Sequence, residues 1–150
     1  MELNTKYFDT VSYEPAETVR FPEGLFGFEE YRDYLPISFH PGSDAMISLQ
    51  SLLEEGPAFV LMNPFHLLKN YRPELSHADL SLLGFPREED LSFYVICTVM
   101  EKAGESTVNL KCPVVVNSAN RIAKQVILDT DLYSFRHTLA DLQGKDVRPC

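Results

Sequence analysis

Basic side chains are scarce in this chain. Only 13 Lys and Arg stand against 22 Asp and Glu, which gives a formal net charge of -9 and a sequence pI near 4.8. Such a field repels a phosphate backbone, and the counterion release that drives nucleic-acid affinity needs clustered cations. The composition therefore argues against direct binding of RNA or DNA and favours a basic protein partner. No apolar run approaches the roughly 18 residues of a membrane span. The amino terminus, Met-Glu-Leu-Asn-Thr-Lys, lacks the basic-then-apolar layout of a secretory signal. A soluble, cytoplasmic protein with no membrane contact is expected. The 3 cysteines, Cys97, Cys112 and Cys150, make neither a CxxC pair nor an even disulfide set, so a reducing compartment is the simpler reading. Cys97 shares the parity of Leu91, Phe93, Val95 and Val99 and reads as a small core side chain. Cys150 ends a polar tail and is the thiol expected to be exposed.

Catalytic and metal signatures are missing as well. His40, His66, His77 and His137 are dispersed, none at ligand spacing from another His or a Cys. There is no Gly-x-Ser-x-Gly elbow, no Cys motif with an orienting His, and no phosphate loop, since Gly24 and Gly27 lead into no convincing helix. Glu29-Glu30 and Glu88-Glu89-Asp90 could be imagined as paired carboxylates for glycoside hydrolysis, but adjacent charges in loops are usually solvated turn residues. The expectation is a protein that is not an enzyme and carries no cofactor. A small β-barrel hydrolase or ligand-binding protein, its site assembled in space, stays open as the alternative.

What the chain does contain is many short apolar runs separated by Pro, Gly and Asn. At 150 residues and 45% hydrophobic content it reads as one domain over residues 1–143 with a frayed polar tail, 144–150. Strands are expected within Thr5 to Tyr13, at Glu17 to Phe21, around Leu35, Ile37 and Phe39 with Pro36 marking an edge, at Met46 to Ser51, at Ala58 to Met62 and at Leu91 to Met100. A helix starting at the N-cap Ser76 and stopping at Gly84, with Asp79 reaching back and Leu75 stapled to Leu80, interrupts them. A second helix is expected from the cap Asp131 through Leu132, Phe135, Leu139 and Leu142 to Gly144. The pattern is that of a mainly β protein, a small antiparallel barrel or closed sandwich with two short helices.

The stretch from Ser106 to Asp129 dominates the pattern. Val108 and Leu110 alternate with Thr107, Asn109 and Lys111, a half-buried strand. Pro113 precedes the β-branched run Val114-Val-Val116, suited to a strand covered on both faces. Asn117 to Asn120 turns the chain, and Arg121 to Leu128 returns, with Lys124 breaking its alternation. Val95, Cys97, Val108, Leu110, Val115 and Val126 are the expected core. Asn109, Lys111 and Gln125 are the polar residues expected on an outward face, either as surface decoration or as a contact face. The aromatics Phe26, Phe28, Tyr31 and Tyr34 either plug one end of a barrel or are exposed as anchors.

Thr107-Val-Asn-Leu-Lys-Cys-Pro-Val-Val-Val-Asn117 with Gln125-Val-Ile-Leu128 resembles the C-terminal half of the flagellar assembly factor family FliW. Phe21-Pro-Glu-Gly-Leu-Phe-Gly-Phe-Glu29, Leu49-Gln-Ser51 and Asn63-Pro64 occur in the order that family has them, so the resemblance spans nearly the whole chain. It implies a barrel-like fold and a cytoplasmic bacterial factor that binds flagellin. It also implies that, once flagellin is exported, the factor binds and antagonises the RNA-binding translational regulator CsrA without covering its RNA site, releasing flagellin synthesis. A chaperone for unrelated cargo would differ only in its partner. The contact is expected on the face of Asn109, Lys111 and Gln125 and in neighbouring acidic loops such as Glu29-Glu30.

Overall fold

β-Branched and aromatic residues in runs of four to eight, cut by turn residues, give strands too short to be stable alone, so they pair and close on one another. The structure, a computed structural model, describes residues 1–54 and 56–142. The expected tail 144–150, with the helix stop at Gly144 and the thiol of Cys150, lies outside the described residues. The strands are β1 (Glu2–Thr5), β2 (Asp9–Ser12), β3 (Val19–Arg20), β4 (Asp33–Ser38), β5 (Met46–Ser51), β6 (Ala58–Met62), β7 (Leu91–Thr98), β8 (Thr107–Val108), β9 (Val114–Asn117), β10 (Ile122–Gln125) and β11 (His137–Thr138). The helices are α1 (Pro64–Leu67), α2 (His77–Leu82) and α3 (Leu139–Leu142).

Seven strands close into a barrel in the order β7-β6-β5-β4-β3-β10-β9, sealed where β9 pairs back onto β7. Every pair in it is antiparallel except β10 with β3, which meet in parallel at Ile122 and Arg20. The strand β7 makes closure possible by serving three neighbours. Leu91–Tyr94 pairs with β9, Val95–Cys97 with β6, and Cys97–Thr98 with β8. The strands β8 and β11 then continue the sheet beyond the barrel wall.

Alternation along these strands sorts apolar side chains into two cores. Val19, Phe21, Leu25, Tyr34, Ile47, Leu49, Leu61, Val114 and Ala123 fill the barrel interior, with Tyr94, Ile96 and Val116 against them. Val60, Val95, Cys97, Val108, Leu110, Val115 and Val126 face the other way, under α2, α3 and the loops, with Leu68, Tyr71, Leu83 and Leu142. The expected core residues are all buried, and the run Val114-Val-Val116 is covered on both faces as its composition demands. Burial also raises the Cys97 thiol's pKa, so it stays protonated and packs as an apolar group.

The helix α2 follows its sequence signals closely. Ser76 Oγ accepts from the Asp79 N–H and an Asp79 carboxylate oxygen accepts from the Ser76 N–H, closing a capping box. Its far end is fixed to the barrel, because Asn117 and Asn120 both donate to the Leu83 carbonyl, at 2.7 and 3.2 Å. Among the described residues no helix is long and apolar enough to cross a membrane.

Four expectations need correction. Thr5 to Tyr13 is not one strand but the turn and second strand of a hairpin, β1 with β2, which closes through Asp9 in the left-handed region and a bond from Phe8 N–H to Thr5 Oγ1. The strand from Thr107 ends at Val108, because Asn109 Oδ1 turns back to accept from the Cys112 N–H, a local bond that competes with the ladder. Pro36 does not mark an edge strand: β4 lies between β3 and β5. Its missing N–H is tolerated because β3 pairs only Asp33 and Tyr34 and has ended before Pro36. The helix expected from Asp131 begins only at Leu139; Leu132 and Phe135 are exposed, while Tyr133 is buried with its hydroxyl accepting from the Arg72 N–H. The three-and-four spacing there was coincidental to a loop held by β11. A third helix, α1, was missed although Asn63-Pro64 spells its start: Asn63 Oδ1 accepts from the Phe65 N–H and Pro64 opens the helix.

Candidate partner-binding surface

One end of the barrel is closed by the loop between β3 and β4. Phe21 and Leu25 point into the interior and are fully buried, and Phe21 meets Tyr34 edge to face at 5.3 Å. Gly24 permits this loop: its φ is +70°, and a Cβ there would lie 2.5 Å from the Glu29 Cα. The chain then doubles back at a bridge between Leu25 and Phe28, and Phe26 and Phe28 are left 50% and 38% exposed. The aromatics therefore divide: Tyr34 plugs, and Phe26 and Phe28 stand at the surface, Phe28 edge to face with Phe59 at 5.0 Å.

These rings border a groove of about 380 Å³ that also takes in Phe59, Ile96 and Thr98. Thr107, Asn109 and Gln125 form its floor and Phe135 and Arg136 its far wall. A second, wider groove of about 720 Å³ shares Phe26 and Gln125 with the first. It runs past Ile127, which is 61% exposed, and Leu132 toward the acidic side chains Glu23, Glu74, Asp79 and Asp129. Apolar side chains exposed along connected grooves make this end of the barrel the candidate contact surface.

The groove is held by polar side chains that bond within the fold, one of them buried. Gln125, 5% exposed, accepts from the Phe26 N–H at 2.9 Å and donates to the Cys112 carbonyl at 3.3 Å. It is thus a strut between the aromatic loop and the turn at Asn109, not a residue of the outward face on which it was expected. Its parity was misread because Lys124 and not Gln125 is the polar residue turned outward on β10. Lys124 reaches Asp79 at 2.7 Å and Glu23 at 3.7 Å, clasping α2 and the aromatic loop to the barrel. Burial pushes the Asp79 carboxyl up, but the bonds from Lys124 and Ser76 outweigh it and hold its pKa below the usual value.

Of the other expected contact residues, Asn109 is half-buried and lines the groove. Lys111 is half-buried with its ammonium donating to the Thr130 carbonyl, so its charge is used within the fold and it does not join the groove. Glu29 and Glu30 are exposed and follow Phe28 directly; a Glu29 carboxylate oxygen accepts from the Gly27 N–H at 2.7 Å. Sequence reasoning missed Phe135, Arg136 and Ile127. For Ile127 a signal existed: with Val126 and Leu128 both committed to the core, the residue between them must point outward.

Among the described residues no group of three or more His, Cys, Asp or Glu could hold a metal. The barrel interior retains a cavity of only about 100 Å³, walled mainly by Val19, Ile47, Leu49, Leu61, Val114 and Val116. His40 and His77 are exposed, His66 lies 4.0 Å from Asp44 at the surface, and the carboxylates of Glu89 and Asp90 are engaged by Arg87.

Residues 2–139 match the family model described as FliW protein. The flagellar assembly factor FliW of Exiguobacterium sp. is 39% identical over 146 residues, covering 97% of this chain and 99% of that protein. The FliW of Anoxybacillus flavithermus is 37% identical over 139 residues, covering 93% and 94%. A crystal structure of the flagellar assembly factor FliW superposes with a TM-score of 0.86 at 32% identity, over 93% of this chain and 96% of that one. The fold is thus that of a known family, and the chain belongs to the FliW family of flagellar assembly factors.

Proposed function

We propose that this protein is a cytoplasmic regulatory binding protein of flagellum assembly. It binds flagellin, and when flagellin is depleted it binds and antagonises CsrA, relieving repression of flagellin synthesis. It acts by occupancy and catalyses no reaction. The observation that carries the reading is the aromatic rim at the loop-closed end of the barrel, where Phe26, Phe28 and Phe135 remain exposed around one groove. Exposed aromatics on a rigid scaffold are the side chains that contribute most at protein interfaces. The net charge of -9 suits a basic partner such as an RNA-binding regulator.

Within this reading Asn109 supplies a polar contact on the groove floor, Glu29 and Glu30 border it with negative charge, and Gln125 positions the Phe26 loop from below. Lys111 braces the Thr130 segment. The reading is tested by titrating purified CsrA and purified flagellin into the protein and into a Phe26→Ser, Phe135→Ser variant. Both partners should bind the parent, and the variant, still folded by circular dichroism, should lose at least the CsrA complex. No complex of the parent with either partner overturns the assignment.

A further inference from the structure

The groove's far wall, Phe135 and Arg136, is carried on a tight arch whose closure depends on one ring nitrogen. The Ser134 N–H donates to His137 Nε2 at 2.9 Å, and Ser134 Oγ donates to the Arg136 carbonyl at 3.1 Å. The arch is tied down on both sides: the Lys111 N–H donates to the Ser134 carbonyl at 3.2 Å, and His137 pairs with Val108 in the sheet. A nitrogen that accepts from a backbone N–H carries no proton, so this ring is neutral with its proton on Nδ1. Protonating Nε2 removes the acceptor and sets two N–H groups against each other.

We propose that His137 is a proton-sensitive latch for the Ser134–Arg136 arch, so that acidification loosens Phe135 and weakens docking on this rim. The link to docking rests on the contact surface proposed above; the latch itself does not. Ring burial lowers the pKa of His137, and Asp141 on α3 partly offsets this by favouring the charged form. The other neighbours bear less on it. On β8 the facing residues Thr107 and Val108 are uncharged, Arg136 is exposed, the Lys111 ammonium is turned to Thr130, and Glu105, on the turn packed against α3, is exposed. A histidine with a lowered pKa in the fold contributes stability that is present above its unfolded value near 6.5 and is lost as pH falls through that range.

The test is an amide and imidazole NMR titration between about pH 8 and pH 5, the range in which histidine changes charge. It uses the intact chain, His137→Gln and Asp141→Asn, with no partner present. In the parent the Ser134 and Phe135 amides should shift with the midpoint of the His137 ring. In His137→Gln, whose side-chain oxygen can accept the same bond at any pH, they should stay flat. In Asp141→Asn, which leaves the ring bond intact, the common midpoint should move to lower pH. A Ser134 amide that ignores the His137 titration, or an unchanged response in His137→Gln, overturns the latch. CsrA affinity measured at the two ends of the range should fall severalfold on acidification in the parent and hold in His137→Gln; equal affinity in the parent at both ends severs the latch from docking while leaving the binding assignment standing.

Discussion

The Gln125 side-chain oxygen accepts from the Phe26 N–H at 2.9 Å, joining residues 99 positions apart across the end of the barrel. Since Gln125 is buried and its amide also donates to Cys112, replacing it with Ala strands two backbone groups. The cost should be about 1 to 3 kcal/mol per unsatisfied group, read from urea unfolding. Gln125→Glu keeps the acceptor but loses the donor and buries a charge, so it should be no milder.

Asp79 serves both the cap of α2 and the clasp to Lys124, so Asp79→Ala should destabilise by about 1 to 3 kcal/mol. Its carboxyl pKa is lowered in the fold, so this contribution is present above the unfolded value and disappears as pH falls through the folded one. Lys124 is raised by its bond to Asp79, and its share is present below the unfolded value and lost only as pH rises through the folded one. Chemical denaturation of parent and variant should therefore differ most near neutrality and converge in acid; a gap that persists below the folded carboxylate range would assign the loss to packing instead.

Gly84 ends α2 at φ +85°, and a Cβ there would lie 2.9 Å from Asn120 Nδ2. Gly84→Ala should cost about 1 kcal/mol or more through backbone strain and displacement of the Asn120 bond to Leu83. The Asn120 amide signals should move in the variant, and unperturbed ones would show that the site relaxes freely.

Val115→Ala removes buried methyl groups from the outer core and should cost about 1 to 3 kcal/mol, as should Val108→Ala. Thermal unfolding of the two variants and the double variant checks this.

Much of the barrel was legible because its strands obey simple parity. Val95 and Cys97 declared one face of β7, Val108 declared the same core from β8 beyond the wall, the β-branched run Val114-Val-Val116 declared a strand covered on both faces, and burial followed. The limits of α2 were legible for a different reason: Ser76, Asp79 and Gly84 act through local bonds that a sequence states outright. What was not legible depended on distant partners. Gln125 is polar and sits among strand residues, and nothing local says that its partners are Phe26 and Cys112. Phe135 fell at helical spacing, yet the bond from the Ser134 N–H to His137 and the pairing of His137 with Val108 hold that segment in an arch instead of a helix. The exposure of Phe26 against the burial of Phe21 and Leu25 is set by the Gly24 turn and the bridge to Phe28, which no periodicity reveals. Hence the site is a product of closure: Asn109, Gln125, Glu29, Glu30 and the aromatics Phe26 and Phe28 could be named beforehand as candidates, but the burial of Gln125 and the part played by Phe135, Arg136 and Ile127 could not.

The central claim is that the aromatic rim is where partners dock. Stopped-flow binding of CsrA to the parent and to Phe26→Ser, at several salt concentrations, tests it most directly. With a net charge of -9, association should slow as salt rises, since steering is screened over a Debye length of about 8 Å near physiological ionic strength. The loss of the Phe26 ring should appear instead as faster dissociation, because a desolvated anchor governs how long a complex lasts. A parent complex whose dissociation is unchanged in Phe26→Ser would contradict the account.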